Sequence, residues 1–472
     1  MSVTAHPIYE ATARARRIEA AATVRRLHRS FSSGKTRSLH WRREQLARLR
    51  ALLVEREDQL LAALREDLGK PDLEAWAMDL AGVVAEIDLA VKHLPRWTRP
   101  ERVAVPWRQL PGSARILREP LGVVLVIAPW NYPVQLALTP LVGALAAGNC
   151  VALKPSEIAE HTSRALAELI PTYLDAECVA VVEGGVEETT ALLEERFDHV
   201  FYTGSGAVGR IVMAAAAKHL TPVTLELGGK SPCLVAADAR VDVAARRIAW
   251  GKFLNAGQTC IAPDYVLVEA RREAELIDRL RTNLAAFYGP DPQRSSDYGR
   301  IVSDRHFRRL ARLLDGREIA IGGEVDPSER YIAPTVLRNV HLDDPVMQEE
   351  IFGPILPVLA VRDVDEAIEL VNAREKPLAL YVFTESEQVA ERVLEETSSG
   401  GACVNGTLWQ AANPYLPFGG VGASGHGSYH GRASFETFSH RKAVARKPTR
   451  LDPSVAYPPF TALKKRLVRS LF

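Results

Sequence analysis

The chain has 472 residues, 47% of them hydrophobic and 25% charged, which is the profile of a folded globular protein and excludes disorder and fibrous repeats. Lys plus Arg number 59 against 58 Asp plus Glu, so there is no basic footprint for nucleic acid. Five cysteines, an odd count, are too few for a disulfide framework, and no apolar h-region follows Met1; a reducing, cytoplasmic setting is expected.

Residues 12–95 read as helical up to and beyond a stop at Gly69-Lys70-Pro71. The stretch from Pro120 to Leu153 carries no charge, but prolines 120, 129, 133 and 140 with Asn131 and Asn149 would be costly in lipid. It therefore reads as a buried strand, loop, helix and strand. Apolar runs at 121–128, 150–154, 178–184, 199–204 and 222–228 predict strands buried on both faces, with helices at 162–174 and 210–219 between them. A second set follows, with strands at 265–269, 355–361, 380–385 and 402–406 and helices at 272–287, 364–373 and 387–396. Two α/β lobes of parallel sheet flanking a ligand cleft are expected. The end of the chain differs, because residues 441–472 hold nine Lys or Arg against Asp452 alone.

Candidate chemistry sits where predicted strands end. Gly204-Ser205-Gly206-Ala207-Val208-Gly209 lies between a strand and a helix, the place where free N–H groups receive a pyrophosphate. Spacing alone then nominates Glu226, about 20 residues on, for the ribose. Lys154-Pro155-Ser156-Glu157 offers a cation and a carboxylate that could hold ribose hydroxyls, or a plain strand-to-helix turn. Cys260 stands in a small polar loop, Asn255-Ala256-Gly257-Gln258-Thr259-Cys260, and is the best candidate for a reactive thiolate. Cys150, Cys178 and Cys403 sit in apolar strands and read as core filler, and Cys233 as packing. Asn131, between Trp130 and Tyr132 and flanked by prolines, suits an oxyanion or simply closes a turn. Glu350, before Ile351-Phe352-Gly353-Pro354, is a further acid at a strand start. His426 and His430 are four apart, but neighbouring glycines argue against a helix, so no metal is assigned.

Taken in order, PWN131YP, LK154PSE157, FYTG204S205, LE226LGGK, GQTC260 and E350IFGP resemble the aldehyde dehydrogenase superfamily over roughly residues 12–445. The segment 417–442, with GQTCIAPDYV, is similar to the class-3 branch of fatty, medium-chain and coniferyl aldehyde dehydrogenases. The resemblance implies a Rossmann-like cofactor domain (1–226, with return segments), an α/β catalytic domain (227–404), a bridging segment (405–445) that pairs across a homodimer, and a basic tail (446–472). It implies that Cys260 attacks an aldehyde, that Asn131 and the Cys260 N–H hold the oxyanion, and that Glu226 is the base releasing the acid, not the ribose ligand. Ribose contacts then fall to Lys154 and Glu157, the pyrophosphate turn to Gly204 and Ser205 with Gly209 behind it, and the nicotinamide side to Glu350 and Phe352.

The implied cofactor is NAD, with NADP open, because Glu157 would repel a 2′-phosphate. The chain departs from the class-3 pattern at Asn405-Gly406-Thr407-Leu408-Trp409-Gln410, near the substrate entrance, so the aldehyde itself is left open. Tyr132 and Trp409 could line an apolar funnel for a medium- or long-chain or aromatic aldehyde, or serve as core. Transfer of the acyl group to coenzyme A, and a non-catalytic cofactor-binding protein, are the competing readings. The leucines of 463–471 recur every four residues among cations, so the tail either packs on its own dimer or makes a peripheral contact with an anionic membrane surface.

Overall fold

Runs in which every residue is apolar on both faces need cover on both sides, and this dictates the architecture. In the computed structural model Val123–Ile127, Cys150–Lys154 and His199–Thr203 are buried at every position. They form a parallel sheet in the order Val179–Val181, Cys150–Lys154, Val123–Ile127, His199–Thr203, Val223–Glu226, closed by the short antiparallel strand Gly425–His426. The structure describes residues 7–450, 452 and 454–471; the outer residues of the expected first segment (1–6), and Leu451, Pro453 and Phe472 of the tail, lie outside the described residues. Connections run outward from Val123–Ile127 in both directions, so the strand order reverses there, and a crevice opens beyond the carboxyl ends of the strands. Asn131, Lys154, Gly204 and Glu226 all follow or end these strands at that edge.

The second sheet runs Glu318–Ile321, Thr335–Arg338, Ile355–Val361, Tyr265–Glu269, Pro232–Val235, Ala379–Phe383, Gly401–Val404, parallel except for the first. Cys260 precedes Tyr265–Glu269 and Glu350 precedes Ile355–Val361, both at the amino ends of their strands. Each sheet has its own apolar core, and Phe418 packs against both.

A third sheet pairs a strand of the expected bridging segment with two strands that were not expected. Glu101–Val103, Ser113–Pro120 and Ser439–Arg446 pair antiparallel, the first and last of them exposed along most of their length and the middle one half-buried. The segment 405–445 is shared out among the sheets: Gly425–His426 extends the first, helix Gly431–Thr437 packs into the first core, and Ser439–Arg446 joins the third. Phe435 and Phe438 draw it there, both buried, Phe438 with its ring 5.8 Å from Phe201.

The N-terminal region is broken into Pro7–Ser32, Leu39–Glu55, Glu57–Leu68 and Gly82–Trp97. Gly69 ends the third of these in a left-handed conformation. Between Asp72–Ala75 and Gly82–Trp97 the chain takes a π-helical turn, Trp76–Ala81. Cys150, Cys178 and Cys233 are buried as expected, but Cys403 is only half-buried, because its strand is the edge of the second sheet with no neighbour beyond it. Among the described residues no helix is long and apolar enough to cross a membrane, and no group of three or more His, Cys, Asp or Glu could hold a metal.

Candidate active site

The loop before Cys260 is held in a conformation that its sequence resists. Asn255, Ala256 and Gly257 take φ of 52°, 50° and 75°, three left-handed residues in succession of which only the last is glycine. Hydrogen bonds from every side over-determine this arrangement. The Asn255 N–H donates to Glu74 at 2.8 Å, and the Asn255 amide donates to the carbonyls of Asn131 (2.9 Å) and Gln258 (3.2 Å). The Gln258 side chain donates to Asn255 and Arg300 carbonyls and accepts from the Val302 N–H. Asn131 closes the circle, its amide donating to the Gln258 carbonyl at 3.1 Å. Asn131 is 3% exposed and Gln258 fully buried, so the amide reaches the loop two residues before the thiol.

Asn131 is in turn anchored by Lys70. The Lys70 ammonium, with no exposed side-chain surface, donates to Asp79 at 2.6 Å and to the Asn131 carbonyl at 2.8 Å, and lies 3.9 Å from the centre of the Tyr132 ring. The second Asp79 oxygen accepts from the N–H groups of Val134 and Gln135, at the start of helix Gln135–Ala147. Tyr132 closes toward the thiol loop through a 2.6 Å bond to Thr259.

Glu226 ends its strand 2% exposed, and neither of its carboxylate oxygens has a hydrogen-bond partner. Burial therefore holds its carboxyl well above the usual carboxylate range. The Cys260 thiol is pushed up to about 12 by burial and by the charges of Glu350 and Glu226, against the backbone N–H groups of Cys260 and Ile261. No cation is among the groups that act on the thiol, and burial is the largest influence on both it and the Glu226 carboxyl.

Glycines let the separate loops meet. A Cβ on Gly257 would lie 2.2 Å from the Gly353 carbonyl oxygen, and one on Gly228 would lie 2.1 Å from the Glu350 carboxylate. Phe352, itself at φ 50°, meets the Trp130 ring edge-on at 5.3 Å, which joins the loop of Asn131 to that of Glu350. Burial and the neighbouring Asp264 push the Glu350 carboxyl up to about 8, opposed by a hydrogen bond from the Gly229 backbone and by Lys230 and Lys252.

At the other end of the crevice, the buried Lys154 ammonium lies 3.2 Å from a Glu157 carboxylate that is half-exposed. Ser205 caps helix Gly206–Ala217, its hydroxyl accepting from the Val208 N–H. Gly209 is buried where a Cβ would come 2.9 Å from Leu227, so the third glycine serves helix-to-strand packing. This donor set fits a dinucleotide: a cation beside a carboxylate matches a ribose diol, and the open helix start offers N–H groups to phosphate.

Cys260 lines a cavity of about 670 Å³. Tyr132 and Trp409 line it too, the first buried and the second 74% exposed, as does Tyr415, 73% exposed. The wall is otherwise largely apolar, and it includes Met78, Leu136, Trp250 and Leu254. Sequence reasoning missed Lys70, Asp79, Asn255 and Gly228. Lys70 read as a helix stop, and nothing local distinguishes it from a surface lysine; Asn255 and Gly228 stand inside quoted motifs and could have been weighed for backbone strain and close approach.

The family model described as aldehyde dehydrogenase family matches residues 3–444. The chain is 52% identical over 446 residues to aldehyde dehydrogenase, dimeric NADP-preferring, of Rattus norvegicus, covering 94% of this chain and 98% of that one. It is 51% identical over 448 residues to aldehyde dehydrogenase family 3 member B1 of Homo sapiens, covering 94% and 96%. Among solved structures, the substrate-bound state of Staphylococcus aureus AldH superposes with a TM-score of 0.94 at 46% identity, covering 96% of this chain and 99% of that one.

The electrostatics make a prediction for the protein without ligands. With the thiol pushed up to about 12, carbamidomethylation of Cys260 by iodoacetamide should accelerate about tenfold per pH unit between pH 7 and 9, as the thiolate fraction rises. Mass spectrometry of the Cys260 peptide reads this rate, and a flat profile would mean that the thiol is already ionised at pH 7.

Proposed function

The chain belongs to the aldehyde dehydrogenase family and oxidises an aldehyde to its carboxylic acid with NAD(P), and we propose that Cys260 is the nucleophile and Glu226 the general base of this reaction. The observation that carries the assignment is the unpartnered, buried Glu226 carboxylate within electrostatic reach of a cysteine that opens on the cavity. A carboxylate kept for structure would be ion-paired or hydrogen-bonded.

In this reading the Cys260 thiol gives up its proton to solvent, and the sulfur bonds to the aldehyde carbon as the C=O π bond opens to an oxyanion. The oxyanion is taken by the Cys260 N–H and by the hydrogen of the Asn131 amide that is not committed to Gln258. NAD(P), when bound, supplies the hydride acceptor. Once the carbon is oxidised to a thioester, Glu226 in its ionised form removes a proton from water, the oxygen adds to the carbonyl carbon, the C–S bond breaks to return the Cys260 thiolate, and the acid leaves. Lys154 and Glu157 would hold the adenosine ribose, Gly204 and Ser205 the pyrophosphate, and Glu350 with Phe352 the nicotinamide side. Glu157 favours NAD over NADP by repelling a 2′-phosphate; the rat relative is named as preferring NADP, so the Lys154–Glu157 pair is where the choice is to be tested. The apolar cavity suits a medium- or long-chain or aromatic aldehyde.

A homodimer, as in the relative named dimeric, would use the exposed edge of Ser439–Arg446 in a bridging sheet, with 1–226 and 227–404 as cofactor and catalytic units. The tail carries a finer proposal. Helix Ala462–Leu471 exposes Leu463 (69%) and Leu467 (49%) among Lys464, Lys465, Arg466 and Arg469, a face suited to an anionic membrane at the cytoplasmic side.

Three expectations follow. With NAD and decanal, in the absence of coenzyme A, acid should form in step with reduced cofactor; Cys260→Ala should abolish both, while Glu226→Gln should keep a single-turnover burst and slow acid release by about a hundredfold or more. Reduction only with coenzyme A would move the chain to the acylating class. Gly228→Ala should displace the flexible Glu350 carboxylate and weaken NADH binding roughly tenfold, the scale of one charged hydrogen bond, with thermal unfolding unchanged. Co-sedimentation with phosphatidylserine vesicles should fall when 458–472 is removed, and equal sedimentation would count against a membrane role.

A further inference from the structure

The cavity wall carries a polar cluster that the reaction does not use. Glu86 on helix Gly82–Trp97, Thr139 on helix Gln135–Ala147 and His430 at the cap of helix Gly431–Thr437 all line it, and the three helices pack on one another. Each residue is more than nine-tenths buried, yet Glu86 Oε1, Thr139 Oγ1 and His430 Nε2 have no hydrogen-bond partner. Glu86 Oε2 accepts from the Gly431 N–H at 2.7 Å, which leaves Oε1 facing His430 Nδ1 at 3.6 Å, too far for a hydrogen bond. Such groups cost free energy unless something pairs with them.

The imidazole is held in place rather than loosely packed. His430 adopts φ 76°, unusual for a non-glycine residue, its backbone N–H donates to the Ser434 hydroxyl at 2.8 Å, and its ring stacks on Phe418 at 5.3 Å. The neighbouring Tyr429 lines the same cavity and lies in the field of Glu226, Cys260 and Glu86 together, so the cluster borders the reacting end.

We infer that Glu86 and His430, with Thr139 beside them, form a subsite for a neutral hydroxyl group carried on the aldehyde, and so select hydroxylated aldehydes from otherwise apolar ones. A carboxylate oxygen accepts and a neutral imidazole offers one N–H and one lone pair; a hydroxyl both donates and accepts, and so pairs with both. A substrate carboxylate would meet Glu86 at close range. Burial pushes the Glu86 carboxyl up to about 7 and holds His430 down at about 4, so neither presents the strong charge that an ionic substrate group would need. Thr259, by contrast, is already bonded to Tyr132. The subsite rests on the assignment of this cavity to the aldehyde.

The test compares kcat/KM for decanal with that for a series of hydroxydecanals in which the hydroxyl is walked along the chain. Wild type should prefer one position over decanal by about tenfold, the scale of a hydrogen bond to a charged or buried group. Glu86→Gln, which can keep the bond from the Gly431 N–H, and His430→Phe, which can keep the stack on Phe418, should each pull that ratio toward one. The ratio is the readout because a merely structural loss lowers both substrates together. A ratio near one at every position in wild type, or a preference that survives both variants, overturns the subsite while decanal oxidation leaves the aldehyde cavity standing. Failure to oxidise decanal or any hydroxydecanal overturns both.

Discussion

A single buried ammonium organises the reacting loops. Lys70 reaches from the end of an N-terminal helix into a fully buried position where Asp79, the Asn131 carbonyl and the Tyr132 ring surround it. Removing either partner of such a pair leaves an uncompensated charge, which costs about 3–5 kcal/mol. Its worth here is positional: Asp79 also receives the first N–H groups of helix Gln135–Ala147, so one ion pair fixes both ends of the Asn131 loop. Asn131 then braces Gln258 and Asn255, and through them the strained backbone that presents Cys260. The N-terminal helices, remote from the chemistry in sequence, are thereby part of its scaffold.

Close backbone approach is the second constraint. The loops bearing Cys260 and Glu350 belong to the second sheet and Glu226 to the first, and they converge because Gly257 and Gly228 leave room for a carbonyl and a carboxylate. Burial raises both the thiol and the Glu226 carboxyl above their ordinary ranges, and at the thiol the nearby Glu350 and Glu226 add to it. A thiol raised in this way holds little thiolate in the free protein, and the thiolate is the nucleophilic form.

Strands buried on both faces were readable from composition alone: 265–269 and 355–361 coincide with observed strands, and the uncharged stretch 120–153 holds the strand, helix and strand expected. The residues of the six motifs were legible because each stands at a strand end, where backbone turns leave a signature of glycine, proline and asparagine. The two strands at 101–120 were not legible, nor was their pairing with Ser439–Arg446, since charged residues interrupt both Ser113–Pro120 and Ser439–Arg446 and neither has a fully buried apolar side to alternate against. Lys70 and Glu86 were equally hidden. A charged residue in or beside a helix reads as solvent-facing, and only partners 9 and 345 residues away, Asp79 and Gly431, reveal that each is buried.

The π-helical turn Trp76–Ala81 has a consequence for how this part of the chain tolerates change. Within six residues it points Asp79 into the buried ion pair and Ala77 and Met78 onto the cavity wall, then hands over without a break to the helix carrying Glu86. A π turn holds one more residue than an α turn, so its phase is set by residue count and not by side-chain chemistry. Loss of one residue there would let the turn close as regular α-helix with the flanking turns still in phase, so the mismatch would fall on the residues of the turn itself, Ala77, Met78 and Asp79. The stretch therefore behaves as a ruler: substitutions along it adjust the wall, whereas a change in its length would shift the anchor Asp79 against the wall residues beside it.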